Sequence, residues 1–214
     1  MKMWESFRGH SVTTLGLLGS VLVFASLANA TLLTPGNTVA PSAIVVGAGS
    51  TTEVSLGPTA FSAATFAGTV SEWVVSDTST GDLDFIYQVT ETSATSGIAT
   101  MSVTNYSGTT NNVGTTTGYG PAGTINPTTI SETATGGAIN FNFGASMPLG
   151  TTVDLIVQTN VASYAGGGIN FIDGSVATVS GYGPAPEPGS VGLLLGGLFG
   201  LGLFVTRRFR VQQS

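Results

Sequence analysis

The amino-acid sequence predicts an all-β protein with a single β-sandwich domain. The central part of the chain is rich in Thr, Val, Gly, Ser and Asn. Thr and Val favour pleated, half-buried surfaces, whereas Gly and Asn favour turns. Several runs alternate apolar and polar residues with a period of two, which is the pattern of a strand with one buried face. Turn residues separate these runs, and long stretches of strong helix formers are missing.

The clearest alternation lies in residues 82–91, where Ile86 is the one exception. The residues expected to face inward there are Leu83, Phe85, Tyr87 and Val89. Residues 138–143 and 151–159 alternate in the same way. Residues 77–81 follow the Trp73 run and predict a hairpin turn. Asp173 and Gly174 predict a second, tight hairpin.

The expected architecture is two packed sheets made of about eight or nine short strands. The pattern does not distinguish an immunoglobulin-like strand order from a jelly-roll-like one. A solenoid is the alternative, although no fixed repeat of the usual length is visible. Residues 105–127 contain few apolar residues and are interpreted as one long loop.

The N-terminal residues 1–30 have the organisation of a secretory signal peptide. Lys2 and Arg8 form a positively charged start, and an apolar stretch follows them. Ala28 and Ala30 provide the small-x-small site at which signal peptidase cleaves. An uncleaved N-terminal anchor is the alternative interpretation.

The C-terminal segment has three parts in a fixed order. A Pro-rich lead at residues 184–188 is expected to stay extended and accessible. Residues 189–206 hold no charge, and these roughly 18 residues would form a helix of about 27 Å, close to the thickness of a bilayer core. Arg207, Arg208 and Arg210 would then hold the end of the chain on the cytoplasmic side.

The motif Pro186-Glu187-Pro188, the Gly-rich apolar helix and the terminal Arg cluster together resemble the PEP-CTERM sorting signal of bacterial surface and matrix proteins. The resemblance covers only residues 186–214. It implies recognition and cleavage by exosortase, a membrane-embedded protease-transpeptidase, in a bacterium that makes exopolysaccharide. One departure is that Gly189 follows the motif before Ser190, where many members place Ser or Thr directly. An ordinary single-span anchor is the alternative.

Residues 31–185, roughly 155 residues, are long enough for one domain with a full core. This segment has no Lys, Arg, His or Cys and contains nine of the eleven acidic residues. It therefore carries nine formal negative charges. A domain without cations cannot neutralise phosphates, which excludes nucleic acid as a partner.

The same composition argues against an enzyme. Nucleophilic catalysis needs a base such as His, and zinc or copper sites need imidazole or thiolate ligands. Carboxylates alone leave glycoside hydrolysis as a less favoured alternative. They also leave Ca²⁺ as a weak cofactor candidate, held by Asp77, Asp82 and Asp84, with Glu72 expected across the hairpin. The simpler interpretation of these carboxylates is a solvated acidic face.

Carbohydrate binding is a further alternative, because sandwich domains can hold sugars on aromatic side chains. Trp73 is one candidate, and Tyr106, Tyr119 and Tyr164 are expected to be exposed in Gly-, Asn- and Thr-rich segments. Tyr119 also belongs to a short echo, Gly-Tyr-Gly-Pro-Ala, that begins at Gly118 and recurs at Gly181. Low-complexity coincidence explains such an echo more simply than a duplicated domain.

These inferences predict an exported protein that is held transiently in the inner membrane and then delivered to the cell surface or extracellular matrix. Its expected role there is structural or adhesive and linked to exopolysaccharide or biofilm. Its expected partners are signal peptidase, an exosortase-type enzyme and exopolysaccharide, with membrane contact through the tail before processing.

Overall fold

The computed structural model describes residues 31–185, and these residues form fourteen β-strands and no helix. The strands are β1 (Thr31–Leu33), β2 (Thr38–Val39), β3 (Ser42–Ala43), β4 (Thr51–Ser62), β5 (Phe66–Ser76), β6 (Leu83–Ala94), β7 (Thr100–Thr104), β8 (Asn111–Thr116), β9 (Thr129–Glu132), β10 (Ala138–Asn142), β11 (Gly150–Thr151), β12 (Asp154–Gln158), β13 (Tyr164–Ile172) and β14 (Val176–Pro184). The predicted signal peptide, residues 1–30, and the predicted sorting segment, residues 186–214, lie outside the described residues. Within residues 31–185, nothing forms a helix able to cross a membrane.

The strands form two sheets. The eight-stranded sheet has the order β1-β8-β12-β6-β5-β4, with β11 added against β6 and β3 against β8. The six-stranded sheet has the order β14-β13-β7-β10-β9-β2. Apart from the parallel β3–β8 pair, the paired strands are antiparallel. The predictions of an all-β domain and of two sheets are confirmed.

One hydrophobic cluster joins the inner faces of the two sheets. Phe85, Tyr87 and Leu155 come from the eight-stranded sheet, whereas Phe141 and Phe171 come from the six-stranded sheet, and all five are fully buried. The side chains predicted to face inward from residues 82–91, 138–143 and 151–159 lie in this cluster or pack against it. Burial of this apolar area is the main stabilising term of the fold, since the domain has no cation for a salt bridge.

A second, smaller cluster covers the outer face of the eight-stranded sheet. It contains Ile44, Val75, Ile86 and Ile156, with Trp73 and other partly buried side chains packed against it. Ile86 broke the alternation of residues 82–91 because both faces of β6 are buried at this point. A strand that is covered on both faces has an almost continuous apolar run.

Both predicted hairpins are confirmed. Residues 77–81 lie in the connection between the antiparallel strands β5 and β6. Asp173 and Gly174 lie in the connection between β13 and β14, where Ile172 pairs with Val176. Gly174 has a φ of +64°, a backbone conformation that Gly adopts without a steric penalty.

Three expectations were wrong. Residues 105–127 are not one loop, because β8 lies inside this segment and pairs with both β1 and β12. The strands number more than the eight or nine expected, chiefly because several are only two to four residues long and β4 was missed. Pro184 is not part of an accessible lead, because it is buried at the end of β14 and faces Tyr164 in the register.

Candidate functional site

An uncharged groove lies on the outer face of the eight-stranded sheet. Its volume is about 400 Å³. The lining residues come from β4, β5, β6 and the loop after β8, and they are Ser55, Leu56, Gly57, Pro58, Thr69, Ser71, Trp73, Gln88, Thr90 and Pro121. None of these side chains is ionisable. We call this feature the Trp73 groove.

The floor of the Trp73 groove consists of cross-strand pairs of polar side chains. Ser71 lies opposite Gln88, and Thr69 lies opposite Thr90, in the β5–β6 register. These residues alternate with Val70 and Glu72, whose side chains face the core. The period-two pattern of a strand therefore places hydroxyl and amide groups side by side on the outer face.

The walls come from an irregular edge strand and a loop. The β4–β5 register shifts between Leu56 and Thr59, so that Gly57 and Pro58 bulge out of the regular ladder. Gly57 has a φ of +105°, and a Cβ there would lie 2.5 Å from the carbonyl oxygen of Val70. Only Gly fits this close approach, which makes the bulge a built feature of the wall.

Trp73 supplies the aromatic surface of the groove. One part of its indole packs on the second hydrophobic cluster, and the side chain stays half-buried. The Tyr119 ring lies next to it, with centroids 6.2 Å apart and planes inclined at 51°. This support fixes the indole position without covering it completely.

Gln88 is held in one orientation by neighbours in the same layer. Its Nε2 donates to the carbonyl oxygen of Pro121 at 2.7 Å and to Oδ1 of Asp154 at 3.0 Å. Asp154 in turn accepts hydrogen bonds from the backbone N–H groups of Tyr119 and Gly120. The loop that forms one wall is thus tied to the floor.

A half-buried indole beside the hydroxyl groups of Thr69, Ser71 and Thr90 has the chemistry of a sugar-binding site, whereas Gln88 is buried and supports the floor. The aromatic face can pack against the C–H groups of a pyranose ring, and the neutral polar groups can exchange hydrogen bonds with its hydroxyls. An anionic sugar would meet a domain with nine formal negative charges and no cation. The groove therefore favours a neutral sugar.

The carboxylates proposed for Ca²⁺ are only partly brought together. Oδ1 of Asp77 accepts from the backbone N–H groups of Gly47 and Ser79, both at 2.8 Å, and from the Ser50 hydroxyl at 3.2 Å. Gln158 Nε2 donates to Asp77 Oδ2 at 3.1 Å and to Asp84 Oδ2 at 3.2 Å. Asp77 therefore organises two loops, as expected for the first residue of a turn.

The other two predicted partners are placed differently. Asp82 is only half-buried, and its carbonyl oxygen accepts from the Asp77 N–H at 2.9 Å. Glu72 does lie across the hairpin, but its side chain is on the opposite face, towards the core, so it cannot join Asp84. Within residues 31–185, no group of three or more His, Cys, Asp or Glu is placed to hold a metal ion.

Asp77 and Asp84 differ in their proton affinity. Burial acts to raise the pKa of Asp77, but its hydrogen bonds from Ser79, Gly47 and Ser50 outweigh burial and hold the pKa below its ordinary value. Burial raises the pKa of Asp84 to about 7, against the opposing hydrogen bond from Gln158, and the charge of Asp77 adds to the increase. Near neutral pH the pair thus combines a charged Asp77 with a partly protonated Asp84.

A second buried network crosses the core. The hydroxyl groups of Tyr87 and Tyr106 form a hydrogen bond of 2.8 Å. The Tyr182 N–H donates to Oε2 of Glu72 at 2.9 Å. Burial raises the pKa of Glu72 to about 7, despite that hydrogen bond. Tyr106 was expected to be exposed, which is wrong, because it is fully buried and its hydroxyl has a partner inside the protein. Tyr164 is exposed as expected, and Tyr119 is half-buried.

The two Gly-Tyr-Gly-Pro-Ala segments share a structural role. The backbone N–H of Tyr119 donates to Asp154 at 3.0 Å, and the backbone N–H of Tyr182 donates to Glu72 at 2.9 Å. In each copy the Tyr amide therefore caps a buried carboxyl group. The first copy lies in the loop after β8 and the second lies at the end of β14, so the shared contact does not indicate a duplicated domain.

The alternation identified Gln88 and Gln158 as outward-facing residues, but it did not predict that they are buried. Both face outward from their strands, and a buried outer face is not expected from alternation alone. The signal that was available is Ile86 beside them, which indicated that the outer face is covered. The predicted signal-cleavage residues Ala28 and Ala30, the sorting motif Pro186-Glu187-Pro188 and the predicted membrane stop Arg207, Arg208 and Arg210 lie outside the described residues.

No protein-family model matches the chain, and comparisons with curated proteins and with solved structures give no match either.

Proposed function

We propose that this chain is an exported surface or matrix protein that holds a neutral polysaccharide in the Trp73 groove. The observation that carries the proposal is a supported indole beside a floor of Ser, Thr and Gln side chains, without an ionisable group in the lining. The adhesive role predicted from the sequence then has a physical basis. The groove lining offers no acid–base pair, so the proposed activity is binding and not hydrolysis.

The localisation of the protein is proposed from the sequence. Export would begin at the signal peptide, and the tail beginning at Pro186 would hold the chain in the inner membrane until an exosortase-type enzyme removed the helix. The folded domain extends at least to Ala185, whose N–H donates to the Ser163 carbonyl oxygen at 3.0 Å. The sandwich topology, immunoglobulin-like or jelly-roll-like, also stays a proposal.

Binding is tested with the full-length chain in a polyoxyethylene detergent, which contains no sugar that would compete. An array of neutral glucans, mannans, galactans and N-acetylglucosamine polymers is probed with the wild type, Trp73→Ala and Tyr164→Ala. Tyr164 is the matched control, because it is an exposed aromatic residue on the six-stranded sheet. We expect Trp73→Ala to lose at least about tenfold in affinity, equivalent to about 1.4 kcal/mol, and Tyr164→Ala to bind normally. Wild-type protein that binds none of these polymers would refute the proposal.

Sorting is tested separately by the intact mass of the surface form. An N-terminus at Thr31 and a C-terminus near Pro188 are expected. Intact mass suits the protein because the mature segment contains no Lys or Arg for tryptic cleavage. Surface protein that still carries Arg210 would contradict the sorting proposal and leave the binding proposal standing.

Calcium binding is a second candidate that rests on Asp77 and Asp84 alone. Titration calorimetry of the full chain with Ca²⁺ tests it directly. Heat of binding together with a higher melting temperature would support a site, whereas neither effect would end the idea.

A further inference from the structure

The outer face of the six-stranded sheet carries an ordered array of uncharged hydroxyl and amide groups. One row follows the strand register through all six strands, with each residue directly opposite the next. The row consists of Thr178, Asn170, Ser102, Asn140, Ser131 and Thr38. Ser102 is buried between its neighbours, and the other five side chains are half-buried or exposed. Neighbouring strands lie about 4.8 Å apart, so the row is roughly 24 Å long. We call this surface the polar face.

A second, shorter row lies beside the first. Asn142 is opposite both Thr100 and Thr129 in the register of β10 with β7 and β9. Because Asn140 and Asn142 are two positions apart, they point to the same side of the sheet, about 6.8 Å from each other along the strand. The polar face is therefore a two-dimensional array.

Hydrogen bonds between neighbours hold the array in place before any ligand arrives. Thr178 Oγ1 donates to Asn170 Oδ1 at 2.8 Å, and Thr100 Oγ1 donates to Asn142 Oδ1 at 3.2 Å. Asn142 Nδ2 donates to Ser131 Oγ at 3.3 Å. Side chains that are ordered in advance lose less conformational entropy when they bind.

The polar face has no charge, although the domain around it is strongly acidic. All nine acidic residues of residues 31–185 lie elsewhere: in the eight-stranded sheet, in turns, or, for Glu132, on the inner face of β9. The rows of the face therefore offer only groups that both donate and accept hydrogen bonds. Such groups match the hydroxyls of a neutral polymer and offer no attraction to an anionic or cationic one.

The polar face and the Trp73 groove lie on opposite sides of the domain. Trp73 packs on the outer cluster of the eight-stranded sheet, while the residues that alternate with the polar rows, such as Val103, Ile139 and Phe171, lie in the core between the sheets. One straight polymer segment therefore cannot contact both sites of the same domain at once.

We propose that the polar face is a second site for neutral polysaccharide, so that one domain joins two polymer segments and cross-links the matrix. This inference rests on the proposed function of the Trp73 groove. The partner is a polymer and not a short sugar, because a row of about 24 Å of weak, water-competing contacts gains affinity only when many contacts form together.

The test measures cross-linking apart from binding. The full-length chain in polyoxyethylene detergent is mixed with the neutral polymer from the array that the wild type binds best. The light-scattering mass of the mixture is then followed against the ratio of protein to polymer. We expect a several-fold rise with a maximum at an intermediate ratio, because excess of a bivalent binder saturates single chains and separates them.

Two variants and one control locate the second site. The double variant Asn140→Leu with Thr178→Val removes polar groups from the polar face without adding charge. The control is Thr52→Val, which replaces an exposed Thr of β4 by Val away from the polar face. The double variant should keep the affinity of the groove and lose the rise in scattering mass. Trp73→Ala should also lose that rise, whereas Thr52→Val should keep it.

The outcomes are distinguishable. Wild-type binding without any rise in mass, or a double variant that cross-links like the wild type, overturns the second site and leaves the groove intact. A rise in mass without polysaccharide, abolished by the double variant, would mean that a second copy of the chain covers the face, and this also overturns the inference. Failure of the wild type to bind any neutral polymer refutes the proposed function itself.

Discussion

At the scale of single residues, buried carboxyl groups without cationic partners distinguish this domain. Glu72, Asp84, Glu91 and Glu132 are all buried, and each has one oxygen without a hydrogen-bond partner among the described residues. Burial raises the pKa of each of them. A raised pKa lets a buried acid become neutral instead of leaving a bare charge in the core.

Glu72→Gln should stabilise the protein above neutral pH and change little in acid. The folded state binds the Glu72 proton up to about pH 7, whereas the unfolded state releases it near 4.5. The stability contributed by this proton is therefore complete below about pH 4.5 and is lost as the pH rises through about 7, by on the order of 3 kcal/mol. Urea unfolding at pH 5 and pH 9 measures the difference, with the exposed Glu53→Gln as control. An equal effect of Glu72→Gln at both pH values would contradict the account.

Tyr106→Phe should cost about 1 kcal/mol, because it removes the hydroxyl partner of Tyr87 inside the core. Tyr106→Ala should cost about 3–5 kcal/mol through the cavity that it leaves. Urea unfolding measures both. Tyr164→Phe is the control and should have almost no effect, since Tyr164 is exposed. If Tyr106→Ala left the free energy of unfolding unchanged, this residue would not be in the core.

The burial of Tyr106 could not be predicted from its neighbours. Asn105 precedes it with a φ of +78°, and Ser107 and Gly108 follow it, so the local sequence has the composition of a turn. Its burial depends on a long-range contact with β6. Local composition contains no information about such a contact, whereas the inward residues of β6 itself were predicted from alternation.

At the scale of strands, the predictable elements are those with one apolar face. β6, β10 and β12 show that pattern, and their inward residues were identified from it. β8 was missed because Val113 is its only large apolar residue, and its inward Asn111 is paired with Glu132 at 3.0 Å. A polar pair in the interior removes the alternation on which the prediction depends.

β4 was missed for a different reason. It is an edge strand whose register with β5 shifts twice, at Thr52 and Val54 and again at Leu56 and Thr59. Gly57 and Pro58 in its centre argue against a strand in any reading of the sequence. The same irregularity forms a wall of the Trp73 groove. The strand whose sequence does not fit a regular strand therefore shapes the candidate site.

The first Gly of the second Gly-Tyr-Gly-Pro-Ala segment, Gly181, is tightly packed in the β13–β14 hairpin. A Cβ at Gly181 would lie 2.6 Å from Oε2 of Glu72 and 2.8 Å from the side chain of Ile169. Gly181→Ala should therefore destabilise the protein by about 1–3 kcal/mol. Gly166→Ala in the facing strand meets no atom within 4 Å and should be neutral or slightly stabilising. Thermal unfolding of the two variants compares them, and equal melting temperatures would refute the tight packing.

At the scale of the whole molecule, the carboxyl groups make the domain more stable in mild acid than in mild base. Because these four pKa values are raised, the folded state keeps protons that the unfolded state has already released, and stability therefore falls as the pH rises from the acidic range. For Glu72 and Asp84 this fall continues until about pH 7. The lowered pKa of Asp77 acts in the opposite direction and limits stability in strong acid. The melting temperature should be higher at pH 5 than at pH 8.5. A higher value at pH 8.5 would contradict the assignment of these groups.

The sequence contains specific motifs for localisation at its two ends, which lie outside the described residues, but no specific motif for the activity of residues 31–185. The polar face was not predictable because it depends on register between strands that are distant in the chain, such as Asn170 with Ser102. Trp73 was a candidate from its residue type alone. Its neighbours Ser71, Gln88 and Pro121 become a site only when β5, β6 and the loop after β8 come together.

Fluorescence of Trp73 tests the central claim most directly. The chain has two Trp residues, so the variant Trp4→Phe leaves Trp73 as the sole reporter. The measurement is a titration of this full-length variant with the neutral oligosaccharides of the polymers on the array. A saturable shift in the emission of Trp73, absent with a negatively charged oligosaccharide, is the predicted result. Emission that stays unchanged with every neutral sugar would contradict the account.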